Sequence, residues 1–431
     1  MEIIQKPVSA VSASIFSGGG VGDAGIEWGA GIPVIAACEI IPSRAELLRL
    51  NFPNTKVFEG DIWELKDKYI NFLKTSLKDK RPWLITLSPP CQGMSANGAG
   101  RISSAIKNGT RPKEDERNRL VLPAIEVLEE IQPEWFILEN VQRMENTIIR
   151  NENNDPENIL DCLGRRMHPL GYTIRANILD FRDYGVPHHR RRLITIGCRN
   201  KKVVEACPPN KKIFRKGLSV LHPKPTHGTK GSKKWISISE CIGHLAPLDA
   251  IKKLSEKKDP FHVIPKWNPK QYFWMSHTPE GKTAFDNMVC PSCNFKNSGT
   301  DIVECSKCGN ELARPNIIKN GERRLIKGFK TSYKRMRINE PASTLTMNSG
   351  VISSDMKGHP TQNRVLSLKE ILLLSTLEHK NWPSKYRFFK GAINHTNVAE
   401  NKKLVREVIG ESIPPLALSK IVKNLQKVEA I

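Results

Sequence analysis

The sequence predicts an α/β fold: a mostly parallel sheet with helices on both faces, carrying a smaller inserted module. Three observations predict it. Up to about residue 204, short apolar runs alternate with amphipathic stretches, the pattern of a parallel sheet flanked by helices. The same texture returns after about residue 336. Between the two, periodicity weakens, Pro, Lys and Trp rise, and two CxxC pairs appear. The chain is therefore divided into 1–204, 205–335 and 336–431, with the last segment returning to the first. No tandem repeat is present.

The elements follow in order. Ala10–Phe16 reads as the first strand and runs into Ser17-Gly18-Gly19-Gly20-Val21-Gly22. Pro33–Cys38 is the second strand, ending in Glu39. Ser43-Arg44-Ala45-Glu46 has the form of a capping box and opens a helix to about Asn51. A brief strand at Lys56–Phe58 leads to Gly60-Asp61. Trp83–Leu87, apolar throughout, reads as a buried fourth strand and delivers the chain to Ser88-Pro89-Pro90-Cys91. Leu120–Ile131 forms a helix, and Trp135–Leu138 a fifth strand ending in Glu139-Asn140-Val141. Thr173–Leu179 and Arg192–Cys198 complete the series. In the last segment Ser367-Leu368-Lys369-Glu370 is a second capping box, and a final helix follows Pro414-Pro415.

Composition narrows the function. The chain has 431 residues, with 67 Lys and Arg against 44 Asp and Glu, a net charge of +23. Such a surplus, spread along the chain, points to a polyanion as partner, with nucleic acid ahead of a merely basic soluble protein. No apolar stretch approaches the ~20 residues that cross a bilayer, and no secretory leader is legible, so no membrane partner is expected. Ten cysteines, four of them in CxxC pairs, suit a reducing compartment, and a cytoplasmic location is expected. Cys38, Cys162, Cys198, Cys207 and Cys241 have no partner spacing and read as packing residues.

Chemistry gathers at strand ends. Gly20-Val21-Gly22-Asp23-Ala24-Gly25 matches GxGxxG, with Glu39 about twenty residues on, where a ribose-binding acid is expected. The motif alone is weak; it licenses a backbone that approaches a nucleoside closely, which an adenosyl group satisfies as well as a dinucleotide. Asp61 adds a polar group at the same edge, placed for an adenine amine. Cys91 follows a diproline at a strand's carboxyl end, where ligands of open α/β sheets bind. A thiol so held is better placed for nucleophilic attack than for packing, although most free cysteines pack. Glu139, on the sequential and hence neighbouring strand, is a candidate proton donor beside that thiol. Its alternative is a cap or a surface ion pair. In Pro187-His188-His189-Arg190-Arg191-Arg192, alternation puts Arg190 and Arg192 on one face, able to grip phosphate and a base carbonyl. A plain basic edge is the alternative.

Taken together these blocks resemble the DNA (cytosine-5-)-methyltransferases of prokaryotic type. The matching blocks are Phe16–Gly22, Pro89-Pro90-Cys91-Gln92, Glu139-Asn140-Val141, the arginine block at 187–192 and Gly410-Glu411-Ser412-Ile413-Pro414-Pro415, all in the family's order. Asp115-Glu116-Arg117-Asn118 fits the loop that follows the nucleophile. The resemblance implies a Rossmann-like, S-adenosylmethionine-dependent methyltransferase fold with a smaller inserted target-recognition domain. It implies an enzyme that methylates C5 of a cytosine rotated out of double-stranded DNA. Cys91 would attack C6 while Glu139 holds or protonates N3. Arg192 would hold the base carbonyl and orient Glu139, and Arg190 would sit on nearby phosphate. Residues 93–118 would form a lid. The cofactor set is Phe16, Gly18, Gly20, Glu39, Asp61, Ile62, Pro89 and Glu411. Two positions depart from the family, which usually has glutamine at His188 and asparagine at Glu411; tuning of loop and cofactor contacts is expected there.

Cys290-Pro291-Ser292-Cys293 and Cys305-Ser306-Lys307-Cys308, the second followed by Gly309, fit a four-thiolate structural zinc ribbon spanning 290–308. A pair of disulfides is the competing reading. The ribbon falls in the expected target-recognition domain, where Lys296, Lys307, Arg314, Arg323, Arg324 and Lys327 are in reach of DNA or form a solvated basic face. The resemblance implies a monomer acting at the nucleoid, either with a separately acting cognate restriction endonuclease or as an orphan. Two alternatives stay open: a transfer-RNA cytosine-C5 methyltransferase of the same mechanism, and a catalytically silent DNA-binding relative.

Overall fold

A computed structural model describes residues 9–90, 116–214, 217, 219–252, 259–328 and 331–430. Cys91, Gln92 and residues 93–115 of the expected lid lie outside them. The central sheet is built from β1 (Ser9–Ile15), β2 (Val34–Glu39), β3 (Lys56–Glu59), β4 (Pro82–Leu87), β5 (Trp135–Asn140), β8 (Thr173–Asp180) and β9 (Arg191–Cys198). Between β5 and β8 lies a small hairpin of β6 (Ile148–Arg150) and β7 (Pro156–Asn158).

The order across the sheet is β3-β2-β1-β4-β5-β9-β8. β3, β2, β1, β4 and β5 run parallel, while β9 is antiparallel to both its neighbours. The mostly parallel sheet is therefore as expected, with one reversed strand. The chain leaves β1 toward β2 and β3, then returns to the other side of β1 as β4. The crevice between the carboxyl ends of β1 and β4 is thus the topological switch point of the sheet.

Alternation along the strands feeds two cores. Phe136 and Leu138 of β5 pack with Ile85, Leu87 and the helices Ile62–Ser76, Val121–Ile131 and Ile159–Met167. Trp135 and Ile137 point the other way, into a layer with Leu84, Ile194, Ile196 and helix Pro415–Glu429. Burial on both faces explains why β4 and β5 read as continuous apolar runs. Cys38, Cys162 and Cys198 lie in these two cores.

Helix Pro415–Glu429 seats its first turn against the π-helical turn Gly25–Gly29. A Cβ on Gly25 would meet the Pro415 carbonyl oxygen at 2.3 Å, so only glycine allows this approach.

Local signals were kept in part. Ser367 and Glu370 form the expected capping box at helix Leu368–Leu374. Ser43 does not cap. The helix starts one residue earlier, at Pro42, whose fixed φ suits a first helical position, and Ile41 is the N-cap without a side-chain bond. Helix Ile62–Ser76, not foreseen, is capped by Asp61.

Beyond β9, Trp267, Trp274, Met275 and Tyr333 pack with Ile352 and Val365, so packing in this part of the chain continues past residue 335. Within it, β10 (Asn316–Lys319) and β11 (Glu322–Leu325) form an antiparallel hairpin. Among the described residues, no helix is long and apolar enough to cross a membrane.

Candidate active site

The turn after β1 is folded by its glycines. Phe16 leaves the strand at φ 60°, and Gly18 and Gly20 hold φ of 55° and 78°, the left-handed region that glycine enters without strain. A side chain on Gly20 would strike Phe52 and Leu48. Nothing stands within 4 Å of where a Cβ on Gly18 would be, so the turn has open room on that side.

Glu39, at the end of β2, faces this turn. Its Oε2 accepts the Gly18 N–H at 2.8 Å and its Oε1 the Ile41 N–H at 2.8 Å. The carboxylate is buried and held by two amides, which fixes its rotamer. The Gly60 N–H donates to the Glu39 carbonyl at 3.0 Å, bringing the end of β3 alongside. Asp61 follows there, with one oxygen accepting the Trp63 N–H at 3.0 Å, while Ile62 is buried in the core.

β4 brings the second strand end to the same edge. The Ser88 N–H donates to the Ile15 carbonyl at 3.2 Å, so the diproline leaves the sheet beside the glycine turn. Asn140 Nδ2 donates to the Pro89 carbonyl at 3.0 Å and ties this exit to the end of β5. Cys91, two residues further, lies outside the described residues.

Glu139 occupies the last turn of the pleat in β5, buried, with Ile194 of β9 opposite it. Arg192, two residues before Ile194, falls on the same face and diagonal to Glu139. Its Nε lies 2.9 Å from Glu139 Oε1, with the two side chains 15% and 10% exposed. The reversed direction of β9 creates this pairing.

Arg190 does not share that position. β9 begins at Arg191, so strand alternation does not reach residue 190. Its side chain is 1% exposed, and its guanidinium donates to the carbonyls of Leu345, Gly410 and Glu411 at 3.3, 3.0 and 2.8 Å. The expected phosphate contact is corrected accordingly: burial commits these donors to the chain, and Arg190 fastens the end of helix His395–Glu411 to the sheet.

A C-5 cytosine-specific DNA methylase family model matches residues 11–427. The chain belongs to that family.

Several relatives of this methylase chain match along nearly all of it. It is 29% identical to the type II methyltransferase M1.HgaI of Avibacterium volantium, over 96% of this chain and 97% of that protein. It is 23% identical to the type II methyltransferase M1.HphI of Haemophilus parahaemolyticus, over 97% and 87%. Among solved structures, a candidate DNA modification methyltransferase encoded within an Escherichia coli prophage superposes with a TM-score of 0.58 at 19% identity, covering 98% of this chain and 100% of that one. A Spodoptera frugiperda DNMT2 variant gives 0.53 at 14% identity, covering 98% and 100%. At these identities the two structures speak for the fold alone.

In this methylase the glutamate at 411 is paired. Its Oε2 lies 2.5 Å from Arg44 Nη2, so the end of helix His395–Glu411 is also held to helix Pro42–Asn51, which follows Glu39. Burial raises its carboxyl above the usual range, with Arg44 pulling the other way. His188 is fully buried, its Nδ1 lying 3.1 Å from the His189 carbonyl. Desolvation, with Arg190 adding to it, lowers its pKa to about 3, so the ring is neutral. Asn140 and Arg44 were not singled out from sequence. Asn140 stood inside a quoted motif, whereas Arg44 lay in what read as a capping box.

Cys290, Cys293, Cys305 and Cys308 come together with their sulfurs all within 4.8 Å of one another. Sγ–Sγ separations are 3.6 Å for Cys290–Cys308 and for Cys293–Cys305. A disulfide needs about 2.05 Å, and all four are free thiols. A tetrahedral zinc with bonds of about 2.3 Å sets its sulfurs about 3.8 Å apart. Asn297 Nδ2 points at Cys305 Sγ at 3.7 Å, while its Oδ1 takes the Ser306 N–H and hydroxyl. The donor set, spacing and outer bonds fit zinc.

Proposed function

We propose that this methylase transfers a methyl group from S-adenosylmethionine to C5 of cytosine in double-stranded DNA, through a transient Cys91–C6 bond. The observation that carries the reading is the convergence at one switch point of the glycine turn, the Pro89 exit held by Asn140, and the Glu139–Arg192 pair.

The residues at the turn suit the donor. Phe16 and Gly18 offer the open side of the turn and Gly20 gives the turn its left-handed bend, Glu39 suits the ribose hydroxyls, Asp61 and Ile62 suit the adenine, and Pro89 and Glu411 close the far side. S-adenosylmethionine bound there supplies an electrophilic methyl group. The protein makes the base reactive. The target cytosine leaves the helix, since its ring cannot be reached inside the stack. Cys91 as thiolate bonds to C6, and electron density moves toward C5 as Glu139 protonates N3. Arg192 keeps the Glu139 carboxyl oriented and donates to the base carbonyl. After methylation, loss of the C5 proton to water re-forms the 5,6 double bond and expels the thiolate, while N3 returns its proton to Glu139. Splitting the reaction in this way lowers each barrier.

A structural zinc in the four-thiolate site would hold together a segment with little apolar core of its own. Residues 205–335 then serve as the target-recognition domain between catalytic segments 1–204 and 336–431. The reading extends to a monomer acting at the nucleoid in the cytoplasm, in a restriction–modification setting like that of its type II relatives.

Bisulfite sequencing of plasmid from an expressing host tests the activity and reports its sequence context. Cys91→Ala should abolish methylation while DNA binding persists. Methylation surviving that change, or appearing on transfer RNA and not on duplex DNA, would overturn the reading.

A further inference from the structure

The hairpin of β10 and β11 is built as a rigid finger on the four-cysteine site. Its turn is Asn320-Gly321 with φ of 54° and 82°, the mirror-image turn that matches the natural twist of paired strands. Pairing Ile317 with Arg324 and Ile318 with Arg323 divides its residues between two faces. Asn316 and Arg323 share the inward face and anchor its base, while Ile318 on that face stays exposed toward the tip. Arg323 Nη1 lies 2.8 Å from Glu311 and its Nε 3.3 Å from Glu304, while Asn316 Nδ2 donates to Glu311 at 2.8 Å. Glu304 and Glu311 lie in the segment carrying Cys305 and Cys308, and bridge to each other across it. The outward face presents Ile317, Lys319, Glu322 and Arg324, all exposed.

We infer that this outward face is a base-reading element that enters the major groove of duplex DNA. The inference rests on the proposed DNA methyltransferase activity. Three features favour that occupant. A two-stranded ribbon has the width the major groove admits. The stretch 319–327 carries Lys319, Arg323, Arg324 and Lys327 against Glu322 alone, within a chain of net charge +23. The outward face also pairs an apolar branched side chain with a guanidinium, the two groups that suit a thymine methyl and the paired acceptors of guanine. Arg324 is paired with Glu322 in an exposed bridge, which costs little to exchange for a base edge. Arg323, spent on Glu304 and Glu311, is a positioning residue that sets the finger's angle.

The test compares the methylated sequence context on plasmid DNA, by bisulfite sequencing, for the full-length protein and for Ile317→Ala, Arg324→Ala and Arg324→Lys. Both residues are exposed, and unchanged melting temperatures and zinc content confirm intact folding. Each Ala variant should relax the context at one base pair and slow methylation of the original context roughly five- to a hundredfold. Arg324→Lys should behave like the alanine, because lysine keeps the charge but loses the two-pronged donor. Rescue by lysine would move Arg324 to a phosphate and overturn base reading there. Variants that keep both context and rate overturn the inference while the activity stands. A full-length protein that leaves plasmid unmethylated overturns the activity and this inference with it.

Discussion

Arg192 Nε stands 2.9 Å from Glu139 Oε1 at the carboxyl end of β5, and both side chains are largely out of water. A carboxyl held so has one orientation, and removing either partner leaves the other misplaced. Glu139→Gln and Arg192→Ala should each lower the single-turnover methylation rate by about 10²–10⁴. Because the two act as a unit, the double variant should cost little more than the worse single one. Measured affinity for a duplex should fall far less than the rate. Additive losses would show that the two work apart.

Asn140 links the strand end bearing Glu139 to the exit that precedes Cys91. Asn140→Ala leaves the Pro89 carbonyl without this donor and the Val141 N–H without its 2.8 Å acceptor. A loss of roughly 1–3 kcal/mol in stability is expected for such buried groups, read as a lower denaturant midpoint. The methylation rate should fall with cofactor affinity nearly unchanged, since Asn140 touches the chain leading to Cys91 and not the glycine turn.

Acid should weaken the fold before it reaches the usual carboxylate range. Burial lowers His188 and His359 to about 3, and His222 to about 4. Their ordinary value is 6.5, so the unfolded chain binds more protons than the native one between about pH 6.5 and 3. Stability therefore falls as pH drops through that window. Asp23, raised by burial to about 7, works in the opposite sense from pH 3.8 upward and offsets part of the effect. A melting temperature that declines steadily from pH 6.5 to 4 checks this, and His188→Gln should make the decline shallower. A flat profile would contradict the neutral buried rings.

Metal analysis of purified protein should find one zinc per chain, lost in Cys305→Ser. Loss of metal should lower the melting temperature through the 285–315 region, where little apolar packing exists to compensate. Hydrogen exchange of that segment, faster after chelation, would locate the effect. Metal-free protein of unchanged stability would argue for four simple thiols.

Much of this was legible in the sequence because strand ends carry chemistry. The apolar runs of β4 and β5 are buried on both faces and stand out without any structure; Pro89 and Glu139 lie where those runs stop, as Glu39 lies at the end of β2. What failed was local. The box at Ser43 has the right letters, but Pro42 begins the helix first. Arg190 and Arg192 share a parity that means nothing before a strand has started, and β9 starts between them. Strand direction was also illegible: residues 181–190 joining β8 to β9 are too few for a parallel crossover, so the chain returns antiparallel, and that return sets Arg192 diagonal to Glu139. Partners far apart in the chain, such as Arg44 with Glu411, leave no trace in local pattern.

The contact between Gly25 and Pro415 has a consequence for biosynthesis. The first segment of the chain emerges from the ribosome long before the helix that braces it, so a growing chain holds the Gly25–Gly29 turn unbuttressed. Catalytic competence should arrive abruptly, when residues 415–429 dock, and a nascent fragment should be unable to modify the genome from which it is being expressed.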